Sequence, residues 1–195
     1  MNAKRSMDLA LGSLALVVAA PILVATATAM RLTGDSGPFL YPATRMGEGM
    51  RPIRVLKIRT MTAGAPGHAL TVAGDVRITR LGRILRRYRI DELPQLINVL
   101  RGEMSLVGPR PEDPRFVDAS DPLHRRVFSA RPGITGLAQL TFHDEASQLA
   151  GHDVEDRYRT VIQPEKLRID ANYLDRQSLR LDIRIILQTV RTVFT

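Results

Sequence analysis

The stretch LALGSLALVVAAPILVATATAM, residues 9–30, decides how this chain is organised. It contains 22 residues without a charge, enough for a helix that crosses the roughly 30 Å hydrocarbon layer of a bilayer. Pro21 lies near its middle, where a proline removes one backbone donor and bends or breaks a helix. We therefore predict a membrane-embedded helix within residues 1–32 that is interrupted at Pro21.

Basic residues flank both ends of the apolar run. Lys4 and Arg5 precede it, and Arg31, Arg45 and Arg51 follow it. Because Lys and Arg next to a membrane segment favour the cytoplasmic side, we expect both ends there and a re-entrant hairpin. Two alternatives stay open, namely a plain kinked transmembrane helix and a secretory signal peptide.

Composition excludes several classes of site. The 195 residues include no Cys and no Trp, which removes disulfides, Cys-ligated metals, thiol nucleophiles and tryptophan stacking platforms. The net charge is +8, and residues 1–90 carry 14 Lys and Arg against 4 Asp and Glu. Such a basic half requires an anionic partner to be considered: nucleic acid, lipid headgroups or a phosphorylated substrate.

Hydrophobic spacing beyond residue 33 predicts a mainly helical α/β domain with few short strands. Residues 53–61 alternate loosely and predict a strand, whereas residues 77–89 predict a short, basic amphipathic helix. Asp91 is suited to cap a second helix that stops at Gly102. Pro164 begins another helix, and the last helix places an apolar stripe either in the core or on a membrane surface.

The acidic pair Asp91–Glu92 is the strongest chemical feature of the chain. It follows the basic segment 77–89 directly and opens a predicted helix, where amide donors favour ionised carboxylates. An ionised Asp can attack phosphorus, and a neighbouring carboxylate can help to hold Mg²⁺. Arg110, between two prolines, is suited to bind phosphate. Simple helix capping and a solvated basic face explain the same residues without catalysis.

Several motifs in order make the chain resemble a known family. They are KRSMD (residues 4–8), the Pro-interrupted apolar run, KIRTM (57–61), IDELPQLINVL (90–100), MSLVGPRP (104–111) and RPGITGLAQ (131–139). The chain is similar to the bacterial sugar transferases that are small monotopic phosphoglycosyl transferases. The resemblance extends over nearly the whole length, because LRIDANY (167–173) and LDIRI (181–185) also look like the closing helices of that family.

The resemblance implies a membrane enzyme that moves a sugar-1-phosphate from a nucleotide diphosphate sugar, expected to be a UDP-sugar, to polyprenyl phosphate. Mg²⁺ is the implied cofactor, and nucleoside monophosphate is released. The step would begin exopolysaccharide, lipopolysaccharide, capsule or glycoprotein glycan assembly. The implied location is the cytoplasmic face of the bacterial inner membrane, with residues 1–32 as the re-entrant helix and residues 33–195 as the catalytic domain. Membrane lipid is an expected partner, nucleic acid is not, and a homodimer is left open.

The resemblance also implies residue roles. Asp91 is expected to be the nucleophile, and Asp91 with Glu92 to hold the metal. Four basic residues are expected to bind substrate phosphates: Lys57, Arg86, Arg110 and Arg131. Asp170 and Tyr173 match a family helix, where ion pairing or packing explains them equally well. The sugar-reading contacts are expected in the loops around residues 62–76 and 140–160.

One departure and two competing functions bear on this interpretation. Many family members have Ser-Pro at the helix break, whereas this chain has Ala20–Pro21, which loses a hydroxyl that could satisfy a freed carbonyl. The main alternative function is a nonenzymatic, membrane-tethered basic adaptor whose segment 77–89 binds anionic lipid or nucleic acid. An aspartate-nucleophile phosphatase is disfavoured, because no D-x-D motif is present.

Overall fold

The apolar run lies within one long helix, α1 (Ala3–Leu32), of the computed structural model. The structure describes residues 3–33, 37–62, 70–72, 74–143, 145, 149 and 153–194. Helical residues continue on both sides of Pro21, so the predicted interruption there is not observed. The loss of one backbone donor costs about 3 kcal/mol, which a 30-residue helix packed along one face can absorb.

One face of α1 packs against the rest of the chain over the whole length of the helix. Its buried residues are Asp8, Gly12, Ala19, Thr26 and Met30, spaced by four or seven residues as one stripe of a helix requires. The other faces are apolar but exposed, as at Leu14, Val17, Val18 and Val24. This helix is long and apolar enough to cross a membrane by length and composition.

In the part of the chain that the structure describes, four strands form two small sheets. Strands β1 (Leu40–Met46) and β2 (Pro52–Ile58) form an antiparallel hairpin around the 3₁₀ turn Glu48–Met50. Strands β3 (Ser105–Val107) and β4 (Gly133–Thr135) pair in parallel. A Cβ on Gly133 would lie 2.1 Å from the backbone nitrogen of Gly108, so the close approach of these two segments requires glycine at position 133.

The remaining regular structure is helical, as the sequence predicted. It comprises α2 (Arg80–Arg87), α3 (Gln95–Arg101), α4 (Pro122–Val127), α5 (Leu137–Thr141), α6 (Val154–Arg157), α7 (Gln163–Asp175) and α8 (Leu179–Phe194). A π-helical turn, Tyr158–Ile162, joins α6 to α7. The predicted stop at Gly102 is confirmed, because Gly102 ends α3 with φ +83°.

The start of α3 differs from the prediction. The helix begins at Gln95 after Pro94, and Asp91 lies in a separate 3₁₀ turn, Ile90–Glu92. No side chain caps the first turn of α3. The interpretation of Asp91 as a helix cap was therefore wrong, and its carboxylate serves no structural purpose at that helix end.

The main core joins α1 to the rest of the chain. Ala19 of α1, Val55 of β2, Val99 of α3 and Ile185 of α8 belong to one buried cluster. Helix α8 therefore has a core face, as one of the two sequence interpretations required. Its opposite face is also apolar but exposed, through Leu179, Ile183, Leu187 and Val190.

Charged side chains fasten the amino-terminal end of α1 to the domain. Lys4 Nζ donates to Asp182 Oδ2 (2.7 Å) and to the carbonyl of Val107 (2.9 Å). The Asp8 carboxylate accepts from the Ser105 hydroxyl (2.8 Å) and the Leu106 amide (3.1 Å). Arg5 donates to the carbonyls of Val99 (2.6 Å) and Leu100 (2.9 Å) near the end of α3. These residues bind groups of β3, α3 and α8.

Removing the Lys4 cation should destabilise the fold. Asp182 is fully buried, and a buried carboxylate that loses its partner is costly. We expect Lys4→Met to lower the free energy of unfolding by about 3 kcal/mol. The double variant Lys4→Met/Asp182→Asn should recover part of that loss, because the unpaired charge is gone. Thermal unfolding of the full chain in detergent micelles compares the stability of both variants with that of the wild type. Equal stability of the wild type and Lys4→Met would contradict the stabilising role of the Lys4 and Asp182 ion pair.

Candidate active site

The acidic pair sits on a tight turn between α2 and α3. Arg89 precedes the turn in the left-handed conformation (φ +52°), and the amide of Glu92 donates to the carbonyl of Arg89 (3.1 Å). Ile90, inside the turn, packs against a buried cluster that contains Met30 of α1 and Leu85 of α2. Both carboxylates are largely buried, Asp91 being 7% and Glu92 8% exposed.

Three cations surround the Glu92 carboxylate. Lys57 Nζ lies 3.0 Å and Arg110 Nη2 3.8 Å from Oε1, and Arg89 Nη1 lies 3.7 Å from Oε2. Burial alone would raise the pKa of Glu92, but the charges of Lys57, Arg110 and Arg89 outweigh it and lower that pKa to about 2. Glu92 therefore stays ionised throughout the physiological range.

Asp91 has the opposite environment. Within the described part of the chain its side chain takes part in no ion pair, and it lines a large cavity. Burial, with the negative charge of Glu92, raises the pKa of Asp91 to about 6 against the opposing charges of Lys57 and Arg86. At neutral pH Asp91 is thus mostly ionised, unpaired and basic for a carboxylate, which are properties of a nucleophile.

The cavity in front of the pair has the size and charge to hold a polyanion. Its volume is 980 Å³, at the upper end of the roughly 300–1,000 Å³ range of small-molecule sites. Eleven Lys and Arg side chains line it against five carboxylates. The cations are Arg45, Lys57, Arg59, Arg77, Arg83, Arg86, Arg87, Arg89, Arg110, Arg115 and Lys166. This excess favours a ligand with several negative charges.

The structure brings three of the four predicted phosphate-binding residues to this cavity. Lys57 and Arg110 lie beside Glu92. Arg86 also lines the cavity, where it donates to the hydroxyls of Thr60 (2.8 Å) and Thr71 (3.2 Å). Arg131 lies apart: it forms an exposed ion pair with Glu48 (3.0 Å) and is not among the described lining residues.

A buried polar network that sequence reasoning missed lines the same cavity. The Tyr158 hydroxyl donates to Glu112, and Lys166 Nζ lies 3.2 Å from that hydroxyl and 2.9 Å from Glu145 Oε2. The residues come from three separate segments, so no spacing in the sequence joins them. Arg89 was missed as well, although its place at the end of the basic segment offered a signal.

Asp170 and Tyr173 bind neighbouring segments of the site. Asp170 accepts a hydrogen bond from the backbone amide of Arg110 (3.4 Å), and burial raises the pKa of Asp170 to about 7. Tyr173 donates to Asp182 (2.6 Å), the residue that binds Lys4 of α1. These contacts favour the packing roles over direct chemistry. The predicted sugar-reading loops fall partly outside the described residues, at 63–69, 73, 144, 146–148 and 150–152.

These features describe a protein with a long apolar helix and a buried acidic pair at a large, basic cavity. The family model for bacterial sugar transferases matches residues 1–195. The chain therefore belongs to the bacterial sugar transferase family, as the motifs predicted.

Named relatives agree with this membership. A UDP-N-acetylgalactosamine-undecaprenyl-phosphate N-acetylgalactosaminephosphotransferase of Aeromonas hydrophila is 40% identical over 98% of this chain and 44% of its own length. A UDP-glucose:undecaprenyl-phosphate glucose-1-phosphate transferase of Caulobacter vibrioides is 40% identical over 98% of this chain and 70% of its own. An enzyme of the same name from Klebsiella pneumoniae is 36% identical over 96% of this chain and 39% of its own length. The chain thus spans less than half the length of the first and third relatives.

Neutralising Glu92 should lower the pKa of Asp91. The Glu92 charge is one of the two causes that raise that pKa, burial being the larger, so Glu92→Gln should move it from about 6 part of the way toward its ordinary value. The ionised fraction of Asp91 would then persist to lower pH. A carboxyl ¹³C NMR titration in EDTA measures this shift. The spectrum of Asp91→Asn identifies the Asp91 signal, and the exposed Glu165→Gln is the control. An unchanged or higher pKa of Asp91 would refute the coupling.

Proposed function

We propose that this protein transfers a sugar-1-phosphate from a UDP-sugar to polyprenyl phosphate, the first membrane step of surface polysaccharide assembly. The observation that carries the proposal is the ionised, unpaired Asp91 beside a cation-bound Glu92 at a basic cavity. Family membership and the printed names of the relatives support the same reaction class. A basic adaptor would require no buried carboxylate pair, which makes that alternative weaker.

In the first half of the proposed reaction, an Asp91 carboxylate oxygen attacks the phosphorus that bears the sugar. A bond forms between that oxygen and phosphorus, and the bond from phosphorus to the bridging diphosphate oxygen breaks. Nucleoside monophosphate leaves with the bonding electrons, and Asp91 carries the phosphosugar. Lys57 and Arg110, which are already within 4 Å of Glu92, neutralise the charge that develops on the phosphates.

In the second half, a phosphate oxygen of the polyprenyl phosphate attacks the same phosphorus. The bond from phosphorus to the Asp91 oxygen breaks, which restores the carboxylate and releases polyprenyl-diphosphate sugar. Because one site serves both substrates in turn, steady-state kinetics should be ping-pong. Glu92 keeps the cations in place through both halves, since its pKa of about 2 leaves it ionised.

Asp91 fits a site for Mg²⁺ better than Glu92 does. Mg²⁺ is commonly held by one or two carboxylates together with substrate phosphates and water, and the Asp91 carboxylate has no cation within ion-pair distance among the described residues. Both oxygens of Glu92 have cations within 4 Å. When bound, Mg²⁺ would neutralise the diphosphate of the donor. No group of three or more Asp, Glu or His gathers as a metal cage in the described ranges.

We propose that α1 is re-entrant, changing direction near Pro21 while its residues stay helical there, with both ends on the cytoplasmic face of the inner membrane and residues 33–195 as the catalytic domain. The support is that both ends contact the same domain: Lys4 and Asp8 bind β3 and α8, and Met30 packs with Ile58 and Leu85. A spanning helix would carry one end away across roughly 30 Å of hydrocarbon.

The exposed apolar stripe of α8, which includes Leu187 at 65% and Val190 at 52%, is proposed to lie on the bilayer surface together with α2. Basic residues on both helices suit the negative surface potential of the cytoplasmic leaflet. A homodimer through the same stripe is the competing use of that surface.

The reaction is tested by the release of nucleoside monophosphate from a panel of UDP-sugars, with Mg²⁺ and polyprenyl phosphate in detergent micelles. We expect release from at least one donor, and a loss of at least a thousandfold in Asp91→Asn, because an amide is a poor nucleophile. Asp175→Asn, an exposed residue that pairs with Arg126, is the matched control. Equal release by Asp91→Asn and wild type would overturn the assignment of the nucleophile.

The topology is tested by single cysteines, which the Cys-free chain allows without background. Ser6→Cys at the exposed start of α1 and Ala119→Cys on the domain surface should both react with a membrane-impermeant maleimide only after the cells are lysed. Reaction of Ser6→Cys in intact spheroplasts, with Ala119→Cys still protected, would establish a spanning helix and contradict the re-entrant arrangement.

A further inference from the structure

Arg89 is a cation of the site whose role the proposed mechanism leaves open. Arg89 has a φ of +52°, and only Met50 shares a positive φ among the described non-glycine residues. This conformation costs energy for a residue with a long side chain. Its amide donates to the carbonyl of Arg86 (3.1 Å) and its carbonyl accepts from Glu92. The strained residue therefore directs the chain from α2 into the turn that holds Asp91.

Arg89 approaches Glu92 from a different side than the other two cations. Lys57 of β2 and Arg110, from the loop after β3, both lie nearest to Oε1, whereas Arg89 lies nearest to Oε2. Its distance of 3.7 Å is too long for a hydrogen bond. The Arg89 side chain also lines the cavity and is 31% exposed, so its N–H groups can reach a ligand.

The Arg89 side of the site adjoins the membrane helix. Ile90, the next residue, packs in the cluster that includes Leu23 and Met30 of α1. At the end of α2, the apolar groups of Ile84 (54%) and Tyr88 (41%) are exposed. Arg89, the residue after Tyr88, therefore lies between the buried pair and an exposed apolar surface.

We infer that Arg89 binds the phosphate of the lipid acceptor, while Lys57 and Arg110 serve the diphosphate of the donor. This inference rests on the proposed function. A lipid-linked phosphate has to keep its hydrocarbon chain in an apolar environment while its head reaches Asp91, and the apolar surface beside Arg89 meets both requirements. A guanidinium can hold two phosphate oxygens with parallel N–H bonds.

The test compares Arg89→Asn with Arg89→Lys. Asn tolerates the left-handed conformation better than most residues, so Arg89→Asn removes the cation without adding strain. We expect it to raise the KM for polyprenyl phosphate at least tenfold and to raise the KM for the UDP-sugar much less, by no more than threefold. Arg89→Lys should recover part of the acceptor KM. Arg168→Asn, a residue of α7 whose side chain is 71% exposed, is the control for a lost surface arginine.

Binding without turnover separates this inference from the proposed reaction. In the Asp91→Asn background, adding Arg89→Asn should weaken binding of a short-chain polyprenyl phosphate at least tenfold and binding of UMP by no more than threefold. A larger loss of UMP binding than of lipid binding, or no loss of binding for either ligand, would overturn the assignment of Arg89. Failure of the wild type to turn over any donor would instead count against the proposed reaction, and the binding comparison would still decide the role of Arg89.

Discussion

The burial of two adjacent carboxylates is the constraint on which the rest of the site depends. A buried charge without a partner is costly, and Glu92 is held by cations that come from β2, from the loop after β3 and from the end of α2. These segments must therefore meet where α3 begins. The cations gather on Glu92, so its neighbour Asp91 forms no ion pair with any residue that the structure describes, and burial together with the Glu92 charge raises the pKa of Asp91 to about 6. One ion-pair cluster thus makes the two carboxylates chemically different.

Contacts at both ends join α1 to the rest of the fold. The cluster around Ile90 and Met30 places the turn of Asp91 and Glu92 next to α1, and the ion pair of Lys4 with Asp182 holds the other end of that helix on α8. Tyr173 links Asp182 to α7, and Asp170, one turn earlier on that helix, receives the backbone amide of Arg110. Helix α7 thus contacts both the residue that binds Lys4 of α1 and the backbone of Arg110, which lines the cavity.

Local sequence patterns predicted the helices and strands better than the contacts between them. The apolar run, the strand predicted at 53–61 and observed over Pro52–Ile58, the basic helix and the stop at Gly102 follow from hydropathy, alternation and glycine chemistry. The helix proved continuous at Pro21 because packing along its whole length, which no local pattern reports, offsets one lost donor.

The same limit applies to the site. Asp91, Glu92, Lys57 and Arg110 were found because they lie in ordered motifs. Arg89 and the contact of Tyr158 with Glu112 were not, since left-handed backbone and contacts between distant segments leave no periodic signal. Arg131 lies in a motif but pairs with Glu48 instead.

The measurement that tests the central claim most directly is mass spectrometry of the protein after incubation with its UDP-sugar donor and Mg²⁺, without any acceptor. The account predicts a phosphosugar adduct on the peptide that contains Asp91, which disappears when polyprenyl phosphate is added. Release of nucleoside monophosphate with no adduct on Asp91, or an adduct on another residue, would contradict it.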